Sequence, residues 1–443
     1  MGQRFIWSDR EQPLLLPPDL REWLPVDHLA WFVIDAVEQF DLAAFYSAYR
    51  ADGHGRPAHD PAVMVALFVY AYSVGVRSSR RVERACAEDV AFRVICANRA
   101  PDHSTIARFR ARHEAALEGL FGQVLGLCAE SGLVSVGVVA VDGTKLKADA
   151  AKGQTRSYEQ IAREIFAEAA RIDAEEDERF GDARGDELPP ELADRSSRLA
   201  RLREAKARLE AEQAEKAERH EQRMQARQAK ELVDGRRMPG PAPVAPSLAV
   251  DPQERVNVTD PDSRMMRSAQ GWVQGYNAQV AATAEQIIVA AELTTSSPDQ
   301  GCLQPMVRTI TRELDAAGVT EPIGTVLADS GYWDTAQIEA IISREHCTVL
   351  VPPDGETRRA AGKTGHKHDR GLTAFLRRVI DSEAGRALYR RRQGIIEPVF
   401  GDLKHNRGAD RFSRRGHAAC RSELRLLAAT HNLLKLHRAA LAT

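Results

Sequence analysis

No run of apolar residues in the 443-residue chain approaches the roughly 20 needed to span a bilayer, and Met1 to Arg10 lacks the basic-then-apolar pattern of a secretory signal. These absences leave no candidate for a membrane-spanning helix and lead to the expectation of a cytoplasmic chain. No two of the six cysteines (Cys86, Cys96, Cys128, Cys302, Cys347 and Cys420) form a CxxC pair, so neither a zinc site nor a disulfide framework is indicated. Reduced, mostly buried thiols are expected instead. The chain also lacks an excess of positive charge: its formal net charge is −2. Overall neutrality can hide segregated charge, however. The stretch Arg386 to Arg421 carries ten basic residues against only Glu397, Asp402 and Asp410.

The length allows one to three domains. Residues 1–130 read as helical, because apolar residues recur at three and four, as in Leu29, Phe32, Val33 and Ala36, and again in Val63, Leu67, Tyr70 and Ala71. Pro61 stands where a helix starts, with Asp60 as its N-cap. One helix is expected over Ser79 to Val94, then a turn over Asn98 to His103, then a helix from Ser104 that carries the basic residues Arg108, Arg110 and Arg112. A helix, a short turn and a basic helix fit a helix-turn-helix that contacts DNA through Arg108 and Arg110, and fit an ordinary helical bundle as well.

The run from Val136 to Val141 is short, apolar and β-branched, and ends at Asp142; it reads as a buried strand with a carboxylate at its C-terminal end. Residues 151–250 break this pattern. Tyr158, Ile161, Ile165 and Ile172 form one apolar stripe, and Leu192, Leu199, Leu202 and Leu209 another, which predicts two helices in an antiparallel coiled hairpin. The loop Gly181 to Pro190 would join them, and the Pro-rich stretch Pro239 to Pro246 would close the insertion as a stiff linker. Strands follow at Gly275 to Ala282 and Gln286 to Leu293, then a helix from Cys302 to Ala317. The run from Ile323 to Asp329 is a second apolar strand ending in an acid. A helix at Thr335 to Arg344, a strand at Thr348 to Val351, one long helix from Leu372 to Lys404 that carries Glu397, and an amphipathic helix over Arg421 to Ala440 complete the chain. This order is that of an α/β ribonuclease-H-like catalytic domain, interrupted after its first strand by an inserted helical hairpin, with a helical N-terminal domain before it. It places the ends of the first and fourth strands side by side. The boundaries expected are 1–130 for the N-terminal DNA-binding domain, 131–150 and 251–420 for the catalytic domain, 151–250 for the insertion and linker, and 421–443 for the terminal helix.

Two carboxylates at neighbouring strand ends repel each other and are costly to bury. Divalent cations offset that repulsion, and Mg²⁺ favours carboxylate and water oxygens while keeping positions open for phosphate. Two ions about 4 Å apart can clamp an in-line phosphoryl displacement. Asp142, Asp329 and Glu397 are therefore the candidate metal-ligating and catalytic residues. Singly each has a plainer reading, as a turn (Asp142-Gly143, Asp329-Ser330-Gly331) or as a surface residue (Glu397). Arg390 and Lys404 lie seven residues on either side of Glu397 and would share its helix face, where cations can hold DNA phosphates.

The segments Val139 to Lys145, Val258 to Arg264, Gly275 to Gln279, Ala328 to Tyr332 and Glu397 to Lys404, with Arg56 to Pro61 and Pro101 to Ile106 before them, resemble in content and order the bacterial insertion-sequence transposases of the DDE class, in the branch with a helical N-terminal domain. The resemblance implies Mg²⁺ or Mn²⁺, as two ions held by Asp142, Asp329 and Glu397, and double-stranded DNA as partner, both transposon ends and target. It also implies a dimer or larger assembly on DNA and a place at the bacterial nucleoid. Tyr389, an arginine and Lys404 resemble the tyrosine, arginine and lysine that surround the family's glutamate. The arginine commonly lies one turn before the glutamate, where this chain has Gln393, so Arg390 and Arg392 both remain candidates. Asp260 and Asp262, flanking Pro261, read as a turn. The activity expected is hydrolysis at each transposon end, which frees a 3′-hydroxyl, followed by transesterification into target DNA. A nuclease of the same fold that does not join strands, and a non-catalytic DNA-binding derivative, are the alternatives.

Overall fold

The computed structural model describes residues 19–49, 57–180, 198–238, 241–247, 249–268, 271–353 and 370–442. The chain divides into two compact units: residues 1–134, 316–319 and 425–443 form one, and 135–315 with 320–424 form the other.

The first unit is helical throughout its described residues. Its helices are α1 (Leu29–Glu38), α2 (Ala43–Tyr46), α3 (Pro61–Ser73), α4 (Ser79–Glu88), α5 (Val90–Ile95), α6 (His103–Arg112) and α7 (Glu114–Glu130). Helix α3 begins as the sequence predicts: Pro61 takes the first position, and the Asp60 side chain accepts from the Ala62 amide. Every residue from Met64 to Ser73 is buried, so α3 is apolar all round and forms the axis of this unit. The single helix expected over Ser79 to Val94 is two. Asp89 adopts an extended backbone and caps α5 by accepting from the amides of Ala91 and Phe92, and this local bond competes with a continuous helix. The C-terminal part of the last helix, α14 (His417–Ala442), belongs to this unit. Cys128 there donates to the carbonyl of Asn432, and the Arg425 guanidinium lies 4.7 Å over the Phe121 ring. All six cysteines are free thiols, and five are buried.

The second unit is a mixed sheet with helices. Its strands are β1 (Val138–Lys147), β4 (Arg264–Ser268), β5 (Gly271–Thr283), β6 (Ile288–Thr294), β7 (Thr325–Leu327) and β8 (Thr348–Leu350), with a separate ribbon of β2 (Thr155–Ser157) and β3 (Arg255–Asn257). The sheet order is β4-β5-β1-β7-β8, with β6 on the outer edge of β5. Strands β1, β7 and β8 are parallel, and β1 and β5 are antiparallel. The first and fourth of the expected strands, β1 and β7, are neighbours, as the order of elements requires. β4 and the β2–β3 ribbon are too short, and too rich in Arg and Ser, to show in the apolar pattern.

Asp142 is not a strand end. β1 continues five residues beyond it, because antiparallel pairing with β5 runs from Val139↔Thr283 to Lys147↔Gly275. Pairing with β7 on the other edge stops at Ala140↔Leu327. Asp142 thus lies just past the last parallel pair, where that edge of β1 opens.

Helices α8 (Tyr158–Phe180) and α9 (Arg198–Asp234) pack together after β1. Ile161, Leu202, Ala205 and Leu209 are buried with Val256 of β3, and Tyr158 and Ile165 border them. The expected joining loop Gly181 to Pro190 and Leu192 lie outside the described residues, as do the side chains of Ile172 and Leu199, and Pro239 and Arg56. Helix α10 (Leu303–Ala316) and helix α11 (Thr335–Arg344) match their expected positions closely. The long helix expected from Leu372 to Lys404 is instead α12 (Gly371–Asp381), α13 (Glu383–Gly401) and a π-helical turn over Asp402–Asn406. The break falls at Ser382, whose extended backbone and hydroxyl cap α13 by accepting from the Gly385 amide. No helix among the described residues is long and apolar enough to cross a membrane.

Candidate active site

The site is built on the open edge of β1. The Asp142 carboxylate is largely buried and accepts from the Gly143 amide at 2.8 Å and from Arg392 Nη1 at 2.9 Å. Burial pushes its pKa up to about 6; the Arg392 guanidinium pulls it down, and the carboxylates of Asp329 and Asp299 push it up. Asp329 follows β7 and accepts from the Gly331 amide at 2.9 Å, so it caps a short 3₁₀ turn. The strand-adjacent acids are thus brought close enough to repel one another.

A third acid in this neighbourhood was not foreseen. Asp299, in the loop after β6, accepts from Lys145 Nζ at 3.1 Å, Asn277 Nδ2 at 2.7 Å and Gln279 Nε2 at 2.8 Å. Asn277 and Gln279 lie two apart on β5 and so point to one face, toward the strand that carries Lys145. Two amides in the buried stretch of β5 are the signal that something polar must meet them. The fully buried Tyr332 donates its hydroxyl to Gln279 Oε1 and extends the network. Gly143 is required at its position, because a Cβ there would overlap the Asp299 carboxylate and the Gln279 amide.

Helix α13 supplies the cations. Arg392 is buried and faces Asp142, with its guanidinium 5.8 Å over the Tyr389 ring. Tyr389 packs in a cluster with Leu327, Leu350 and Ile380, which anchors that face of the helix to β7 and β8. Arg390, Gln393 and Glu397 are on the opposite, exposed side. Among the described residues, no three His, Cys, Asp or Glu side chains are grouped closely enough to hold a metal ion as they stand. Lys404 also differs from expectation. It lies in the π-helical turn, and its ammonium donates to Thr144 Oγ1 on β1. Burial pushes its pKa down, while the carboxylates of Asp410 and Asp142 pull it up. Arg392 and Lys404, not Arg390, are the α13-side cations that reach the acid-bearing strand.

The basic residues of α6 divide. Arg108 is exposed and bonds only within its own helix, to the Ser104 carbonyl and Thr105 hydroxyl. Arg110 turns inward and donates to the Arg77 carbonyl at 3.0 Å and toward the Tyr72 hydroxyl, so its charge organises the bundle. Asp260 and Asp262 are a structural joint, in keeping with the turn expected there. Asp260 accepts from Tyr276 and the Gly416 amide, and Asp262 from the His417 amide.

Residues 18–112 match the family model described as Transposase domain (DUF772), and residues 342–437 match that described as Transposase DDE domain. The chain is a transposase with a DDE domain. No curated protein and no solved structure matches it. The second match takes in Arg392, Glu397 and Lys404 of the transposase, and leaves Asp142 and Asp329 outside its span. A DDE domain implies transposase activity and DNA binding, and such domains generally use divalent metals.

Proposed function

We propose that the second unit is a ribonuclease-H-like catalytic domain that cuts the ends of an insertion sequence and joins them to target DNA, with Asp142, Asp329 and Glu397 as its carboxylates. The observation that carries this reading is the acid pair, Asp142 on β1 and Asp329 just after its parallel neighbour β7, faced by Arg392 and Lys404 from the segment that bears Glu397. The donor set fits a hard divalent cation. It consists of carboxylate oxygens, and burial first, then repulsion from Asp329 and Asp299, raises the Asp142 pKa, a cost that a bound Mg²⁺ or Mn²⁺ would relieve. Asp142 and Asp329 would hold such ions, with Glu397 as third carboxylate. When bound, the ions polarise the phosphodiester and stabilise charge on the attacking and leaving oxygens.

The protein's own groups have distinct tasks. Arg392 holds the Asp142 carboxylate in place and keeps it ionised. Asp299 ties β1, β5 and Lys145 together and fixes the strand on which Asp142 sits. Lys404 places positive charge beside the acid-bearing strand, and the exposed Arg390 offers a further cation to a DNA phosphate. Tyr389 is a positioning residue that packs against the sheet and supports Arg392. In the first unit the exposed Arg108 is the α6 residue suited to a DNA phosphate. Joining two ends requires two copies of the site, and hence a dimer or larger assembly on DNA.

The test is cleavage of a supercoiled plasmid carrying the element's ends, with Mg²⁺ or Mn²⁺, by the wild type, Asp142→Ala and Glu397→Ala. Metal-dependent cutting and strand transfer that vanish in both variants are expected. Cutting retained by Glu397→Ala would remove Glu397 from the site. Specific binding of the ends without cutting would make the chain a transposase-derived DNA-binding protein.

A further inference from the structure

A second basic site lies away from the acid pair, at the root of the inserted hairpin. A cavity of about 700 Å³ opens where β1 ends, and its lining includes Arg156, Arg198, Arg201, Arg411 and Arg415 against the carboxylates Asp149 and Glu164. The arginines come from three separate parts of the second unit. Arg156 belongs to β2, Arg198 and Arg201 to the first turn of α9, and Arg411 and Arg415 to the segment that follows the π-helical turn. That segment is fixed to the end of β1: the Lys147 amide donates to the Asp410 carbonyl at 3.0 Å, and the Phe412 amide donates to the Lys147 carbonyl at 2.8 Å. The carboxylates hold part of this set in place, Glu164 through Arg156 and Arg198, and Asp149 through Arg415. Arg201 is exposed at the cavity wall.

We propose that this cavity grips the phosphate backbone of duplex DNA. Its chemistry selects that ligand. Guanidinium forks match phosphate oxygens in pairs, and five arginines against two carboxylates leave a surplus of positive charge. No aromatic ring lines the cavity, and its only large apolar residues are Leu202 and Val258. It therefore has nothing on which a nucleobase would stack, and it reads backbone without reading sequence. Its place gives the spacing. Asp149 lies seven residues along the chain from Asp142, at most roughly 23 Å on an extended strand. At about 3.4 Å of rise per base pair, that distance is some six or seven base pairs from the acid pair. The hairpin is thus a clamp on the DNA flanking the cut, and this assignment rests on the reading of Asp142 as part of the cutting site.

Full-length protein is titrated with a fluorescein-labelled duplex of about 40 base pairs at roughly 50 to 200 mM salt, and the affinity is read by anisotropy. For the Arg198→Ala/Arg201→Ala variant, the negative slope of log K against log salt should become shallower by about 2, and Kd at the upper salt should rise about tenfold. Asp149→Asn removes a negative charge from the wall and should tighten binding, a gain that misfolding cannot produce. An unchanged slope and Kd in the double arginine variant, or weaker binding in Asp149→Asn, overturns the proposal. The two readings fail separately. Normal binding with no cutting by the wild type would defeat the catalytic assignment alone, whereas normal cutting and normal salt dependence in Arg198→Ala/Arg201→Ala would defeat the clamp alone.

Discussion

Asp142→Asn should stabilise the metal-free protein. The Asp142 carboxyl has a pKa of about 6 in the folded state against an ordinary value of 3.8. Between those values the folded chain holds a proton that the unfolded chain has released. The contribution of Asp142 to stability is therefore fully present below about pH 3.8, is lost as the pH rises through about 6, and is flat above that. At about pH 7.5 the ionised group costs about 3 kcal/mol, from roughly 1.4 kcal/mol per pH unit between the two values. Asparagine mimics the neutral acid, can still meet Arg392 and carries no such cost. In the presence of EDTA the variant should melt about 5 °C above the wild type at about pH 7.5. The difference should shrink to about 1 kcal/mol at about pH 4.5 and disappear below the unfolded pKa. Added Mg²⁺ should raise the wild-type melting temperature and leave the variant nearly unmoved, since a ligand stabilises only the state that binds it. A variant that melts below the wild type at neutral pH, or a gap that does not close in acid, would refute the account of Asp142 as a carboxylate kept ionised against burial and repulsion.

Removing the counter-charge should act in the opposite direction. Arg392→Ala should cost about 3–5 kcal/mol at neutral pH, because it strands a buried carboxylate, and adding Asp142→Asn should restore part of the loss in a double-mutant cycle read by chemical denaturation. Gly143→Ala should destabilise the second unit by about 1–3 kcal/mol through overlap with Asp299 and Gln279, measured by thermal melting. Tyr389→Phe should keep most plasmid cleavage, since the ring and not the hydroxyl packs on Leu327 and Ile380; a loss as complete as that of Asp142→Ala would make Tyr389 a reacting group. Leu209→Ala should cost about 2–5 kcal/mol within the hairpin and expose it to protease while the sheet stays protected.

The parts of the fold legible in the sequence are those whose burial is periodic. Helix α3, the β7 and β8 runs and the stripe through Ile161, Leu202 and Leu209 announce themselves by apolar spacing. The parts that were not legible depend on single polar side chains. Asp89 and Ser382 each end a continuous apolar pattern by bonding the amides ahead of them, which spacing cannot register. The apolar run stops at Asp142, as it would at a strand end. The strand continues because β5 offers a partner as far as Gly275, which is a long-range fact. For the same reason the sequence could bring forward Asp142 and Asp329 but not Asp299, whose place is set by amides on another strand. A regular helix would put Glu397 and Lys404 on one face. Lys404 sits instead in a π-helical turn and donates to Thr144, while Glu397 lies exposed in the regular helix before it.

The ribbon of β2 and β3 has a consequence for the history of the chain. Ser157 and Arg255 are paired across it, so the long excursion through α8 and α9 leaves and returns at one point. A segment whose two ends already touch can be gained, lost or exchanged without moving either flanking strand, because replacing residues 158–254 with a tight turn leaves the ribbon as an ordinary β-hairpin. The sheet can in this way be inherited unchanged while the arm is traded, and elements that share this sheet are free to differ in how firmly they hold the DNA beside the cut.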